Sequence, residues 1–200
     1  MEIKSRKKIL VYRWKAYNYE DVIASFERAG YQVKCIYQKL MSYDVNGEFA
    51  EKIERELASE TYDFVFTINY FPVISDSCEK MGVEYVSYSC DSPLISMYHE
   101  SVFNDVNRIF LFDVESVARF RALGVKHVKY LPLGVDIARL DELLKKPSPF
   151  SDQMTQTLQH SLSFVGSLYE KNSYDKTKEA LPEYLQGYFD ACMEIESRKF

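Results

Sequence analysis

The chain has 200 residues, which suits one domain plus an appendage, and such a chain buries roughly 70% of its unfolded surface without disulfide or metal staples. At 46% hydrophobic and 28% charged, with no biased tract, its composition is that of a soluble globular protein and excludes a fibrous or low-complexity one. The net charge of −5 speaks against nucleic acid as the main partner, and no apolar run approaches the ~20 residues of a membrane span.

The basic start, Lys4-Ser5-Arg6-Lys7-Lys8, is short and reads as a solvated flank, and Met1 to Lys8 lacks the apolar stretch of a signal peptide. The expected location is therefore the cytoplasm, with reduced thiols. Cys35, Cys78, Cys90 and Cys192 have no Cys-x-x-Cys spacing and no histidine in metal-ligand register, so no metal or cofactor is expected. Cys35 and Cys78 read as small buried hydrophobes. The 16 tyrosines and 13 phenylalanines serve either as core and half-buried sheet surface or as the lining of a ligand cleft.

The pattern then alternates strands and helices. Lys8 to Tyr12 is a compact apolar run, as in a strand covered on both faces. Asn18 is placed to cap the next helix, with Val22, Ile23, Phe26 and Ala29 at helical spacing and Gly30 at its end. Tyr31 to Tyr37 is a strand with Val33, Cys35 and Tyr37 alternating, followed by a helix from about Gly47 to Glu60 with Phe49, Ile53 and Leu57 on one face. Tyr62 to Ile68 is a strand, and Pro72 opens a helix that Gly82 closes. Strands follow at Val83 to Tyr88, Asn107 to Phe112 and His127 to Leu131, with a helix from Val114 to Leu123 between the last two.

The order predicts an α/β fold: a Rossmann-like doubly wound parallel sheet of about six strands in three α/β/α layers. A charged helix from about Ile137 to Lys146 ends this domain, 1–146. Residues 147–161 read as a linker. Residues 162–200 read as the start of a second domain or as a helical appendage. Phe164 to Asn172 has the look of a strand and glycine turn, and the amphipathic helices within Tyr174 to Phe200 are expected to pack back on the first domain.

In such sheets, ligands bind beyond the carboxyl ends of the strands. The loop after the first strand, Arg13-Trp14-Lys15-Ala16-Tyr17-Asn18, has no glycine, which argues against a dinucleotide pyrophosphate turn. There is no Walker A pattern, no Gly-x-Ser-x-Gly elbow and no His-Glu-x-x-His. The remaining candidates are polar strand ends: Asn69 and Tyr70, then Asp91 and Ser92, then His99 beside Glu100, then Asp113. Asp91 and Asp113 read either as turn or cap residues or as ligand contacts, and Asn69 either bonds its own turn or faces a ligand. His99, a residue type suited to moving protons, lies beside a carboxylate, in a cleft or on a helix surface. Trp14 either stacks a sugar ring or plugs the top of the sheet, with Arg13 beside it. Gly166 and Ser167 suit a phosphate turn.

Several phrases occur in a telling order: Asp91-Ser92-Pro93, Phe110-Leu111-Phe112-Asp113, Gly124-Val125, Leu131-Pro132-Leu133-Gly134-Val135-Asp136 and Phe164-Val165-Gly166-Ser167. In this order the chain resembles the N-terminal half of GT-B glycosyltransferases, and more narrowly the bacterial glycosyltransferases related to spore-maturation proteins. The resemblance implies a hexosyltransferase-type enzyme of two Rossmann-like domains, one binding a glycan or other acceptor and the other a nucleotide-sugar donor, without a metal. It implies that Asn69, Asp91 and His99 lie on the cleft-facing edge, where a base would deprotonate an acceptor hydroxyl in an inverting enzyme and is not needed in a retaining one. Joined to the strand-end pattern, Asp91 and His99 are the expected catalytic groups, and Arg13, Trp14, Asn69, Tyr70, Ser92 and Asp113 the expected substrate contacts. Gly166 and Ser167 would then begin the donor-phosphate site, with the donor domain itself lying outside this sequence and the chain alone inactive. The alternative is a free-standing α/β module that binds a sugar or metabolite without catalysis.

Overall fold

The computed structural model describes residues 7–16, 18–40, 44–146, 166 and 172–198. The chain divides into two compact units, Met1–Pro147 and Ser148–Phe200. The first contains β1 (Lys8–Arg13), α1 (Tyr19–Arg28), β2 (Gln32–Tyr37), α2 (Gly47–Ser59), β3 (Phe64–Ile68), α3 (Pro72–Met81) and β4 (Tyr85–Ser89). Two 3-10 turns, Ile95–Tyr98 and Glu100–Phe103, lead to β5 (Asn107–Leu111), α4 (Val114–Ala122), β6 (Val128–Tyr130) and α5 (Ile137–Leu144).

The six strands form one all-parallel sheet in the order β2-β1-β3-β4-β5-β6, as the strand-helix alternation predicts. The chain steps outward from β1 to β2, then crosses back past β1 to β3. The direction of winding therefore reverses between β1 and β3, the place where doubly wound sheets open a crevice. Right-handed crossovers put α1 on one face and α2, α3 and α4 on the other. The core follows: Leu10, Tyr12, Val65, Tyr85 and Ile109 point into one buried cluster with Phe49 and Ile74, while Ile9, Val11, Phe66 and Ile68 point into another with Tyr19. Covered on both faces, Ile9 to Tyr12 are all buried, which explains the unbroken apolar run.

Local chemistry sets the helix ends. The Asn46 side chain caps α2 by accepting from the Phe49 N–H at 3.0 Å. Pro72 lies in the first turn of α3, and Gly82 closes it at φ 66°, a left-handed conformation that glycine adopts without strain. Two expectations are corrected. Asn18 does not cap α1 with its side chain: its backbone is not in the extended conformation that would bring its oxygen over the first-turn N–H groups, and its Nδ2 donates to Cys90 Sγ at 3.3 Å. Cys35 is exposed rather than buried, as is Tyr37, because β2 is an edge strand; Cys78 is fully buried as expected.

The linker 147–161 lies outside the described residues, as does the stretch from Phe164 to Asn172 apart from Gly166 and Asn172. In the second unit, α6 (Ser173–Thr177) is capped by Asn172, and a 3-10 turn, Lys178–Ala180, leads to α7 (Glu183–Ser197). Asp190 on α7 accepts from the Tyr174 hydroxyl at 2.8 Å and pairs with Lys178 at 2.9 Å, joining the two helices.

Candidate functional site

The carboxyl ends of β1, β3, β4 and β5 gather most of the polar candidates. Trp14, just beyond β1, donates its Nε1–H to the Ile68 carbonyl at 2.7 Å and stands edge-on to Phe71 at 6.0 Å. The half-buried indole thus seals the top of the sheet. Arg13 pairs with Glu20 at 2.8 Å and lies over the Tyr19 ring at 5.7 Å. Tyr70 turns inward: it is 1% exposed, and its hydroxyl meets Ser101 Oγ at 2.9 Å within a buried network.

Asn69 sits at the end of β3 with φ 64°, the one left-handed non-glycine residue described. Asparagine tolerates this conformation better than most residues. Its backbone is stitched into place: its N–H donates to the Tyr88 carbonyl at 2.9 Å, and its carbonyl accepts from Thr67 Oγ1 at 2.5 Å. Its side-chain Oδ1 accepts from the Cys90 N–H at 2.9 Å, and its Nδ2 donates to Asp91 Oδ2 at 2.5 Å. Asp91 itself is exposed.

Beside it, the Ser92–Pro93 peptide is cis, and the Ser92 hydroxyl donates to Asp113 Oδ2 at 3.3 Å. Asp113 caps α4, accepting from the N–H groups of Glu115 and Ser116 at 3.2 and 3.1 Å and from the Ser116 hydroxyl at 2.5 Å. Asp91, Ser92, Asp113 and Ser116 border a notch of about 10 Å³, room for a single water-sized group.

His99 makes its described hydrogen bonds to Ser101 rather than to these residues. Its Nδ1 accepts from the Ser101 N–H at 3.2 Å and so caps the second 3-10 turn. With Tyr98, Phe103 and Leu123 it lines a depression of about 320 Å³ that shares Met97 and Phe120 with the notch. Asp91 and His99 therefore do not act on one another through any described hydrogen bond. Gly166 is an exposed bend, and Ser167 lies outside the described residues.

Two relations were not visible in the sequence. Asn18 and Cys90 meet across the crevice, and burial, the largest influence, pushes the Cys90 thiol above its ordinary pKa. Asp136, the last residue of the Leu-Pro-Leu-Gly-Val-Asp phrase, caps α5 through the Arg139 N–H at 3.1 Å and accepts from Arg28 at 2.6 Å. Arg139 returns to Asp21 at 2.5 Å, so two crossed ion pairs tie α5 to α1.

The two capping carboxylates predict a pH dependence. The Ser116 hydroxyl first, and the backbone N–H groups beside it, hold Asp113 below the usual carboxylate range; the Arg28 guanidinium does the same for Asp136. A folded-state pKa below the unfolded one adds stability above the unfolded value, about 3.9 for aspartate, that is lost as the pH falls through the folded value. Thermal melts are expected to drop more between about pH 5 and pH 3 for the native chain than for the Asp113→Asn/Asp136→Asn double variant. Parallel pH profiles would contradict the assignment.

The fold and this edge define the class: a Rossmann-like α/β domain whose polar residues converge at the carboxyl ends of its strands, beside the winding reversal. No protein-family model, curated protein or solved structure matches the chain, so the class rests on the fold alone. Among the described residues, no group of three His, Cys, Asp or Glu is placed to hold a metal ion, and no helix is long and apolar enough to cross a membrane.

Proposed function

We propose that the chain is the acceptor-side domain of a bacterial glycosyltransferase of GT-B architecture, holding the hydroxyl of a glycan or similar acceptor at the Asp91 edge. The observation that carries this reading is the state of the Asp91 carboxylate. It is exposed at the strand ends, one oxygen is held by Asn69, and the other has no hydrogen-bond partner among the described residues. The order of the short phrases, from Asp91-Ser92-Pro93 to Leu131–Asp136, supports it independently.

In that architecture a second domain binds the nucleotide-sugar donor, a substrate of the cytoplasm. In an inverting reaction, the Asp91 carboxylate takes the proton of the attacking hydroxyl as the new bond forms at the anomeric carbon and the nucleotide leaves with the electrons of the broken bond. Ser92 and Asp113 border the same notch and orient the acceptor.

The test is an NMR titration of the chain with methyl glycosides of glucose, galactose, mannose and N-acetylglucosamine. Shifts are expected at Asn69, Asp91, Ser92 and Asp113, with binding weakened about tenfold by Asp91→Asn, the loss of one charge-assisted hydrogen bond. An edge silent to every glycoside would overturn the reading. A second reading, a metabolite-binding module, is favoured by an open apolar groove of about 610 Å³ between α1 and the face of β4 and β5, lined by Phe26, Tyr88 and Phe110. Shifts confined to that groove would establish it instead.

A further inference from the structure

We infer that Asn69 is the positioning residue that sets the Asp91 carboxylate, an inference that rests on Asp91 being the acceptor contact. The first ground is conformational. At φ 64° a glycine would sit without strain, whereas a side chain here holds the backbone in a sparsely populated region. What asparagine adds over glycine is its amide, and both ends of that amide are engaged.

The second ground is chemical. Oδ1 accepts from the Cys90 N–H, and Nδ2 donates to Asp91 Oδ2. The reverse placement would set an amide oxygen against a carboxylate and an NH₂ against an N–H, so the hydrogen-bond partners fix the orientation of the group. Asn69 is also 5% exposed. Its role at the site is therefore indirect, exerted through Asp91.

The consequence concerns one oxygen. The loop after β4 carries Asp91 into solvent, where a lone carboxylate would rotate freely. With Oδ2 bound and the preceding peptide pinned at Cys90, Asp91 Oδ1 becomes the oxygen that meets a hydroxyl. Asn18, whose Nδ2 reaches Cys90 Sγ, steadies the same loop from α1.

Two measurements test this. Without any ligand, the two side-chain amide protons of Asn69 are expected to be well separated in an NMR spectrum and to move to exposed-asparagine positions in Asp91→Ala; an unchanged pair would overturn the clamp. With the methyl glycosides, Asn69→Gly is expected to stay folded, melting somewhat lower because the Cys90 N–H loses its partner, and to bind about tenfold more weakly, as Asp91→Ala does. Asn69→Asp, which sets carboxylate against carboxylate, should bind as weakly. If Asn69→Gly binds like the native chain, the side chain is merely structural and the inference fails. If the native chain binds no glycoside, the functional reading fails, while the ligand-free measurement still decides whether Asn69 holds Asp91.

Discussion

Phe49→Ala is expected to lower the free energy of unfolding by about 3–5 kcal/mol, the cost of emptying a large aromatic site in a core that cannot fully collapse. Phe49 is fully buried on α2 and meets the tilted ring of Tyr12 at 4.9 Å, which in turn meets Phe71 at 5.1 Å. Its loss therefore leaves a void between α2 and β1, the strand paired with both β2 and β3. Urea titration with an unchanged slope is the measurement. Phe49→Leu, which keeps most of the volume, should cost less than about 1.5 kcal/mol. If the alanine variant lost no more than the leucine variant, Phe49 would not be the centre of this cluster.

Asn107→Ala is the second large effect, expected at about 2–4 kcal/mol because it removes several buried hydrogen bonds at once and leaves the buried Val102 carbonyl without a donor among the described residues. Asn107 is 1% exposed. Its Nδ2 donates to the carbonyls of Ser101 and Val102 at 2.8 and 3.2 Å, and its Oδ1 accepts from the Ser75 hydroxyl at 2.7 Å. The side chain thus ties the second 3-10 turn to β5 and to α3. Hydrogen exchange should accelerate locally across residues 95–103 as well as globally. Asn107→Leu fills the space but restores none of these hydrogen bonds and leaves the Val102 carbonyl without a donor, so it should not recover the loss. Uniform acceleration, with no excess in those turns, would show that the network does not hold them.

Much of the fold was legible because it depends on short-range chemistry. The β1 run of Ile9 to Tyr12 announces a strand covered on both faces, and Phe49, Ile53 and Leu57 announce a helix with one buried side. Pro72 and Gly82 mark the two ends of α3 nearly to the residue. The local pattern misleads where the outcome depends on what lies across the fold. Cys35 has the pattern of an inward residue, but only the strand order reveals that β2 has no neighbour on its far side. Asn18 stands where a cap belongs, yet a thiol more than seventy residues away takes its side chain.

The candidate site divides in the same way. Asp91, Ser92, Asn69 and Asp113 were singled out as polar strand ends, and parallel strands bring their carboxyl ends to one edge by necessity. His99 follows the same strand, but the 3-10 turn folds its ring back onto Ser101. Tyr70 and Trp14 were drawn into the core by their apolar bodies, each satisfying its polar atom on the way.

By itself, the sequence determined the alternation of strands and helices, the parallel sheet and the set of polar residues at its carboxyl edge, because periodicity, caps and glycines act within a few residues. Only the tertiary structure decided the strand order, the exposure of β2, the hydrogen bonding of His99 to Ser101, and the use of the Asn69 amide. Those depend on hydrogen bonds and packing between residues distant in the chain, such as Asn69 with Asp91, whose geometry no local pattern encodes.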